Sequence, residues 1–284
     1  MTILSERHVL LGVIYQLSDR RKQPCLLVVD FIAEPPQQQG LDTLQNTLTF
    51  SFPVLAYDSV IQDVIVRSNP AATCTQDSES PFPFFAASYN RIYAVYFLMD
   101  HQVDRALCFV GLESALLSLI WSTGFPSGRR RFEWSAWGPD STRLIRDLPF
   151  SRAWRWFTYG TRFIGTRSSP THPYVDVYDF NQLALRYYGR RGTGTATTRL
   201  NTDGVKAQGG VEEERDHQLV YVTTPTRLVA GDVFHDQVET KLGYGMRSWQ
   251  VHEASIESVP AMCSEDGIIL VVSNYILNAV AASR

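Results

Sequence analysis

Short runs rich in Val, Ile, Leu, Phe and Tyr recur along the chain, each closed by turn-forming residues, at 9–17, 25–32, 48–52, 60–66, 84–87, 92–98, 106–110, 154–158, 162–165, 175–180, 219–223, 227–230 and 267–273. Runs of this length and composition predict strands rather than helices. Around 84–98, two such runs flank Ser88, Tyr89, Asn90 and Arg91, a short link that predicts a hairpin. One segment competes as a helix. Over 111–122, Leu112, Ala115, Leu116, Leu119 and Ile120 fall on one helical face, and Gly124 stands where the helix would close. Polar or turn-rich stretches separate the strand groups at 34–43, 69–83, 124–131 and 189–216. The last carries almost no large apolar residue, so a flexible insertion is expected at about 189–217. The pattern predicts an all-β fold: a propeller-like array of antiparallel strands, complete or incomplete, with one or two short helices. Strand pairs at roughly 40-residue intervals favour the propeller, although no literal repeat of the Gly-His and Trp-Asp kind occurs.

Composition narrows the setting. A chain of 284 residues, 44% hydrophobic and 19% charged, can bury a substantial core, and one domain over 1–284 is the expectation. A formal net charge of -3 supplies no broad positive field for a nucleic acid backbone. The longest apolar run, 107–121, is interrupted by Glu113 and falls short of a bilayer span, so no membrane segment is expected. Residues 1–7 lack the apolar stretch of a secretory signal, and the four cysteines show no Cys-x-x-Cys pairing. Cys25, Cys108 and Cys263 lie in or beside apolar runs, which fits buried reduced thiols in a cytoplasmic or nuclear protein.

Signatures of catalysis are missing. The six histidines form no metal-ligand spacing, and His235 beside Asp236 reads as a pair of turn residues because neighbours on a strand face opposite ways. Gly192-Thr193-Gly194 lacks the third glycine and following helix of a dinucleotide loop. There is no Gly-x-Ser-x-Gly elbow and no Walker loop. No catalytic residue, metal or cofactor is assigned, and a non-enzymatic role is expected.

Two features offer recognition chemistry. Arg129, Arg130 and Arg131 form the densest positive run and would suit an acidic or phosphorylated protein partner, since guanidinium forks pair bidentately with such groups. Beside them stand Trp134 and Trp137, which with Trp121, Trp154 and Trp156 either seal a core or form a platform for sugars or methylated peptides. The platform is the basis of an alternative reading, a carbohydrate-binding or carbohydrate-active protein using two of Glu133, Asp140 and Asp179. Structural roles are expected for Gly138 and Pro139, which impose a turn, and for Arg143, which would stack on a ring or pair with Asp140. On 175–181, Tyr178 and Phe180 share one strand face, while Asp179 and Asn181 point the other way and can bond a turn.

The stretch Trp134-Ser135-Ala136-Trp137-Gly138-Pro139-Asp140-Ser141-Thr142-Arg143 is followed by Tyr159-Gly160-Thr161-Arg162-Phe163 and by Val177-Tyr178-Asp179-Phe180-Asn181. Asp232-Val233-Phe234 and Val238-Glu239-Thr240-Lys241-Leu242-Gly243-Tyr244 come after. In order and spacing these segments resemble the C-terminal, propeller-like region of fungal F-box proteins, over most of the chain from about Phe84. No F-box of the Leu-Pro-x-Glu type is visible before them. The resemblance implies a protein-interaction module similar to the substrate-recognition body of ubiquitin-ligase adaptors. A ligase-adaptor partner is implied only where an F-box precedes the chain.

Overall fold

The computed structural model describes residues 1–33, 44, 46–69, 91–99, 105–124, 128–149, 157–167, 174–190, 219–250, 261–263, 268–272 and 275–279. In chain order the first elements are β1 (Thr2–Ile3), β2 (His8–Gln16), β3 (Lys22–Asp30), β4 (Thr47–Ser51), β5 (Ile61–Arg67), β6 (Ile92–Met99) and β7 (Arg105–Leu112). Then come α1 (Glu113–Thr123), β8 (Arg129–Phe132), α2 (Trp134–Ser141), β9 (Thr142–Pro149), β10 (Phe157–Tyr159), β11 (Arg162–Arg167), β12 (Tyr174–Asp179) and α3 (Gln182–Arg190). The remaining strands are β13 (Val220–Val222), β14 (Thr226–Leu228), β15 (Val238–Thr240), β16 (Tyr244–Gln250), β17 (Ala261–Cys263), β18 (Ile268–Val272) and β19 (Tyr275–Ala279). The described chain is mostly β, in largely antiparallel sheets with few short helices.

The chain divides into two compact units. The first comprises Met1–Phe150, Thr158–Thr161 and Pro225–Leu242, and the second comprises Ser151–Phe157, Arg162–Thr224 and Gly243–Arg284. In the first, one sheet runs β1-β2-β3-β4-β8, a second runs β5-β6-β7-β9, and β14 pairs with β15. Strand pairs are antiparallel except β4 with β8, where Thr47 to Phe50 run parallel to Arg129 to Phe132. A parallel pair needs a long crossover, and the whole passage from β5 through α1 supplies it.

The period of two decides which side chains meet. Leu10 of β2, Leu26 and Val28 of β3, and Leu48 and Phe50 of β4 join Val64 and Val66 of β5, Tyr93, Val95 and Phe97 of β6, and Phe109 of β7 in one buried core. Helix α1 adds Leu116, Leu117 and Ile120, spaced to share one face, and Gly124 ends it with φ of 63°. This matches the helix expected over 111–122. Leu228, Phe234 and Val238 complete the core from a distant part of the chain.

In the second unit, β11, β12, β16 and β13 are successive antiparallel neighbours, and β17-β18-β19 form a separate meander. Phe163, Tyr178, Phe180 and Tyr244 cluster there at ring-centroid distances of 5.4 to 5.5 Å. Within that spacing, tilted rings pack favourably.

Three expectations change. The stretch 124–131, read as a polar loop, carries the first three residues of β8, because pairing with β4 and the stack of Phe132 on Phe50 hold a strand whose arginines show no apolar alternation. Gly138 and Pro139 lie inside helix α2 rather than in an isolated turn. Pro139 leaves the Ser135 carbonyl without its helical donor, a loss made tolerable by the exposure of Ser135 to water. Ile92–Met99 pairs with β5 and β7, while the hairpin partner expected at 84–87 lies outside the described residues. The insertion expected at about 189–217 also lies outside them, apart from the two residues that end α3.

Close approach of β2 and β5 depends on one glycine. A Cβ on Gly12 would fall 2.5 Å from the Val64 carbonyl oxygen, and backbone cannot swing aside as a side-chain tip can. Gly12→Ala is therefore expected to cost about 1–3 kcal/mol, the usual scale of overpacking. Urea unfolding reads this as a lowered midpoint, and an unchanged midpoint would mean that the two strands have room to spare.

Candidate functional site

The arginine run forms the outermost strand of its sheet, and all three side chains are exposed. Arg129 donates from Nε to the Leu44 carbonyl at 2.9 Å. Arg131 forms an ion pair with Glu133, Nε lying 2.9 Å from Oε1, and donates from Nη2 to Oε1 of the buried Gln23, whose own Nε2 donates to the Phe52 carbonyl at 2.9 Å. The Arg130 guanidinium sits 5.2 Å from the Phe132 ring centroid, over a ring itself stacked 5.0 Å from Phe50. These contacts orient the side chains without burying their charge. The arrangement can present several donors to an anion.

The adjacent tryptophans point into the core. Trp137 is buried, donates from Nε1 to the Ser51 carbonyl at 3.2 Å, and meets Phe50 and Phe52 edge-on at 5.6 and 5.2 Å. Trp134 stacks on Phe52 at 5.5 Å and covers Gly138, where a Cβ would lie 2.2 Å from its ring. Trp137 is enclosed and Trp134 is half-buried against the core, whereas Trp121 is 67% exposed on α1. Trp154 and Trp156 lie outside the described residues.

Arg143 has a different partner from the one expected. Its side chain is fully buried, donating from Nε to the Leu242 carbonyl at 2.5 Å and from Nη1 to Thr226 Oγ1 at 3.0 Å. Asp140 instead lies 3.2 Å from Lys241 Nζ. The same two segments are joined by backbone bonds from Lys241 to the Pro139 carbonyl, 2.8 Å, and from Leu242 to the Thr142 carbonyl, 3.0 Å. Thr240 Oγ1 accepts from the Leu144 amide at 2.9 Å. The Thr142 hydroxyl donates to the Gly138 carbonyl at 2.7 Å, and Ser141 Oγ donates to the Trp137 carbonyl, so two late carbonyls of α2 are satisfied.

In the second unit Asp179 Oδ1 accepts from the Asn181 amide at 3.0 Å, and Asn181 Oδ1 accepts from the amides of Leu183 and Ala184 at 3.1 and 3.2 Å. Asn181 thus caps the start of α3, a helix that the sequence pattern did not suggest. Among the acids of the carbohydrate reading, Asp179 is committed to this turn and Glu133 to Arg131. His235 Nδ1 lies 3.0 Å from Asp236 Oδ1 at the surface. Cys25 and Cys108 are buried free thiols, and burial pushes the Cys25 thiol up to about 11, which leaves it protonated and inert.

One charged pair escaped the sequence reading. Arg91 Nη2 bonds Glu113 Oε1, and both side chains are almost wholly removed from solvent. Arg91 also reaches the Leu4 carbonyl at 3.3 Å, while Ser68 Oγ lies 3.4 Å from Glu113 Oε2. The signal was Glu113 itself, the one charge within an apolar run. Burial outweighs the Arg91 charge and pushes the Glu113 carboxyl up to about 7. Among the described residues no group of His, Cys, Asp and Glu is arranged to hold a metal, and no helix is long and apolar enough to cross a membrane.

No protein-family model matches the chain, and no curated protein or solved structure matches it either.

Two expected outcomes test these contacts. Arg143→Met leaves the buried Leu242 carbonyl without its donor, costs about 3 kcal/mol, and exposes 225–242 to limited proteolysis. Unchanged stability and cleavage would deny Arg143 its joining role. For Glu113, the folded chain keeps a proton that the unfolded chain has released, so stability falls as pH rises from the usual 4.5 to about 7. The change amounts to about 3 kcal/mol. Denaturant titrations across that range should show the slope in the parent chain and lose it in Glu113→Gln.

Proposed function

We propose that the chain is a non-enzymatic protein-interaction module: a propeller-like β body, similar to the substrate-recognition part of fungal F-box proteins, that offers β8 to a protein partner. The observation that carries this reading is the exposed Arg129–Phe132 strand, whose charges are oriented by Leu44, Gln23 and Glu133 and yet remain in water. Solvated arginines on a loose loop would lose side-chain entropy on binding, about 0.5–1.5 kcal/mol for each side chain immobilised. Partly anchored ones lose less.

The likeness to F-box proteins rests on the motif order quoted above alone, and two of those motifs meet in the fold. Pro139, Thr142 and Arg143 of one hold Lys241 and Leu242 of the other. Delivery of a target to a ubiquitin ligase belongs to this reading only with an F-box joined to the chain.

Affinity purification of the tagged chain from its native cells at moderate salt, beside the Arg129→Glu, Arg130→Glu, Arg131→Glu triple variant, tests the proposal. A single near-stoichiometric protein retained by the parent and reduced at least tenfold by the variant is expected. Retention of no specific protein sinks the reading.

A further inference from the structure

Strand β8 has a polar edge to fill as well as charges to pair. It is the last strand of its sheet, bonded to β4 on one side, with no strand on the other among the described residues. In a parallel pair, alternate residues turn their N–H and C=O toward the neighbour, so the others of Arg129–Phe132 direct theirs away from β4. Side chains alternate in the same way. Arg129 and Arg131 share one face, about 7 Å apart, and Arg130 shares the other with Phe132.

We infer that β8 takes an extended, acidic segment of a protein partner as an added strand, with carboxylates at alternate positions meeting Arg129 and Arg131. This deepens, and rests on, the interaction-module reading. The occupant's chemistry follows from complementarity in charge and period. An extended segment repeats its side chains on one face every two residues, the same repeat that sets Arg129 and Arg131 apart. An occupant helix would bring its side chains together every three or four residues and has no edge of its own to match the outward peptide groups of β8. The anchoring bonds support the assignment. Arg131 is tied to buried Gln23 and Arg129 to the Leu44 carbonyl, so both forks are held near the strand they would serve. Glu133, paired with Arg131 and 64% exposed, is the group an incoming carboxylate would displace or share.

The test is fluorescence anisotropy of the full chain with a short labelled peptide alternating Val and Glu. Parallel peptides carry Gln for Glu, phosphoserine for Glu, or N-methyl groups on alternate amides. The Val/Glu peptide is expected to bind, to weaken as salt rises, and to lose at least tenfold in affinity with Gln or with N-methylation. Arg129→Glu with Arg131→Glu should cause a similar loss, while Arg186→Glu on α3 should not. Undiminished binding by the N-methylated peptide overturns the added strand, and undiminished binding by the double variant overturns the arginine site. Binding of the phosphoserine peptide alone overturns the carboxylate assignment. Failure of the parent chain to bind the Val/Glu peptide, while a cellular partner is still captured, overturns only strand addition. Failure to capture any partner removes the module reading first.

Discussion

A buried guanidinium decides whether the first unit can be completed. Arg143 sits in α2's continuation into β9, and its partner Leu242 lies 99 residues later, after the chain has passed through the strands of the second unit. Burying a cation without partners is prohibitive, so the Leu242 carbonyl and Thr226 hydroxyl must be in place among the groups that receive it. Once they are, Phe234 of the same returning segment packs 6.2 Å from Phe97 and 6.0 Å from Phe109. Closing so long a loop costs entropy that grows only with the logarithm of its length. A cluster of aromatic rings, the hydrogen bonds from 139–144 to Thr226, Thr240, Lys241 and Leu242, and surface ion pairs can offset that cost. The Trp-Gly-Pro and Thr-Lys-Leu segments are thus two halves of one clasp, which accounts physically for their chemistry: carbonyls on Pro139 and Thr142, amides on Lys241 and Leu242, and a donor fork on Arg143.

Much of the β architecture was legible where strands have a buried face. Runs at 9–17, 25–32, 48–52, 60–66 and 92–98 correspond to β2 through β6 within a few residues, because their inward positions are filled by Val, Leu, Ile and Phe. The pattern was silent where burial is supplied by something other than apolar side chains. Strand β9 mixes Arg143, Arg146 and Asp147 with its apolar residues, and β8 is three parts arginine. Helix α3 has a clear cap in Asn181, but its run of Tyr187, Tyr188 and Gly189 carries weak helix propensity. Pairing partners, above all the parallel match of β4 with β8, are set by long-range contact and leave no local trace.

The candidate site was legible in part for the same reason. Three consecutive arginines are visible to any reader, and their placement on a sheet edge is not. Trp134 and Trp137 read as core rings, with a ligand platform as the alternative. Their neighbours Phe50, Phe52 and Phe109 lie far away in sequence, and those contacts bury Trp137 and half-bury Trp134. Arg91 sat in a presumed turn and Glu113 in an apolar run, and nothing local joins two residues 22 positions apart.

Arginine serves three energetic regimes in this one chain, and the differences bear on what the edge strand can do. Arg143 is wholly enclosed and bonded to neutral oxygens, and Arg91 is enclosed against a carboxyl whose own charge is disfavoured by burial. Both are shielded from dissolved ions. Edge strands elsewhere carry charge simply to repel other edges, and Arg129, Arg130 and Arg131 satisfy that requirement too. Repulsion alone, however, needs no anchoring: a freely rotating charge blocks an incoming strand as well as a fixed one. The bonds from Arg131 to Gln23 and Glu133 and from Arg129 to Leu44 restrict side chains whose freedom would otherwise cost nothing to keep. Such restriction is useful when a partner must find the donors already in place. The same charges that exclude a neutral strand then admit an acidic one, and because they stand in water, salt weakens that choice over about 8–10 Å at ordinary ionic strength.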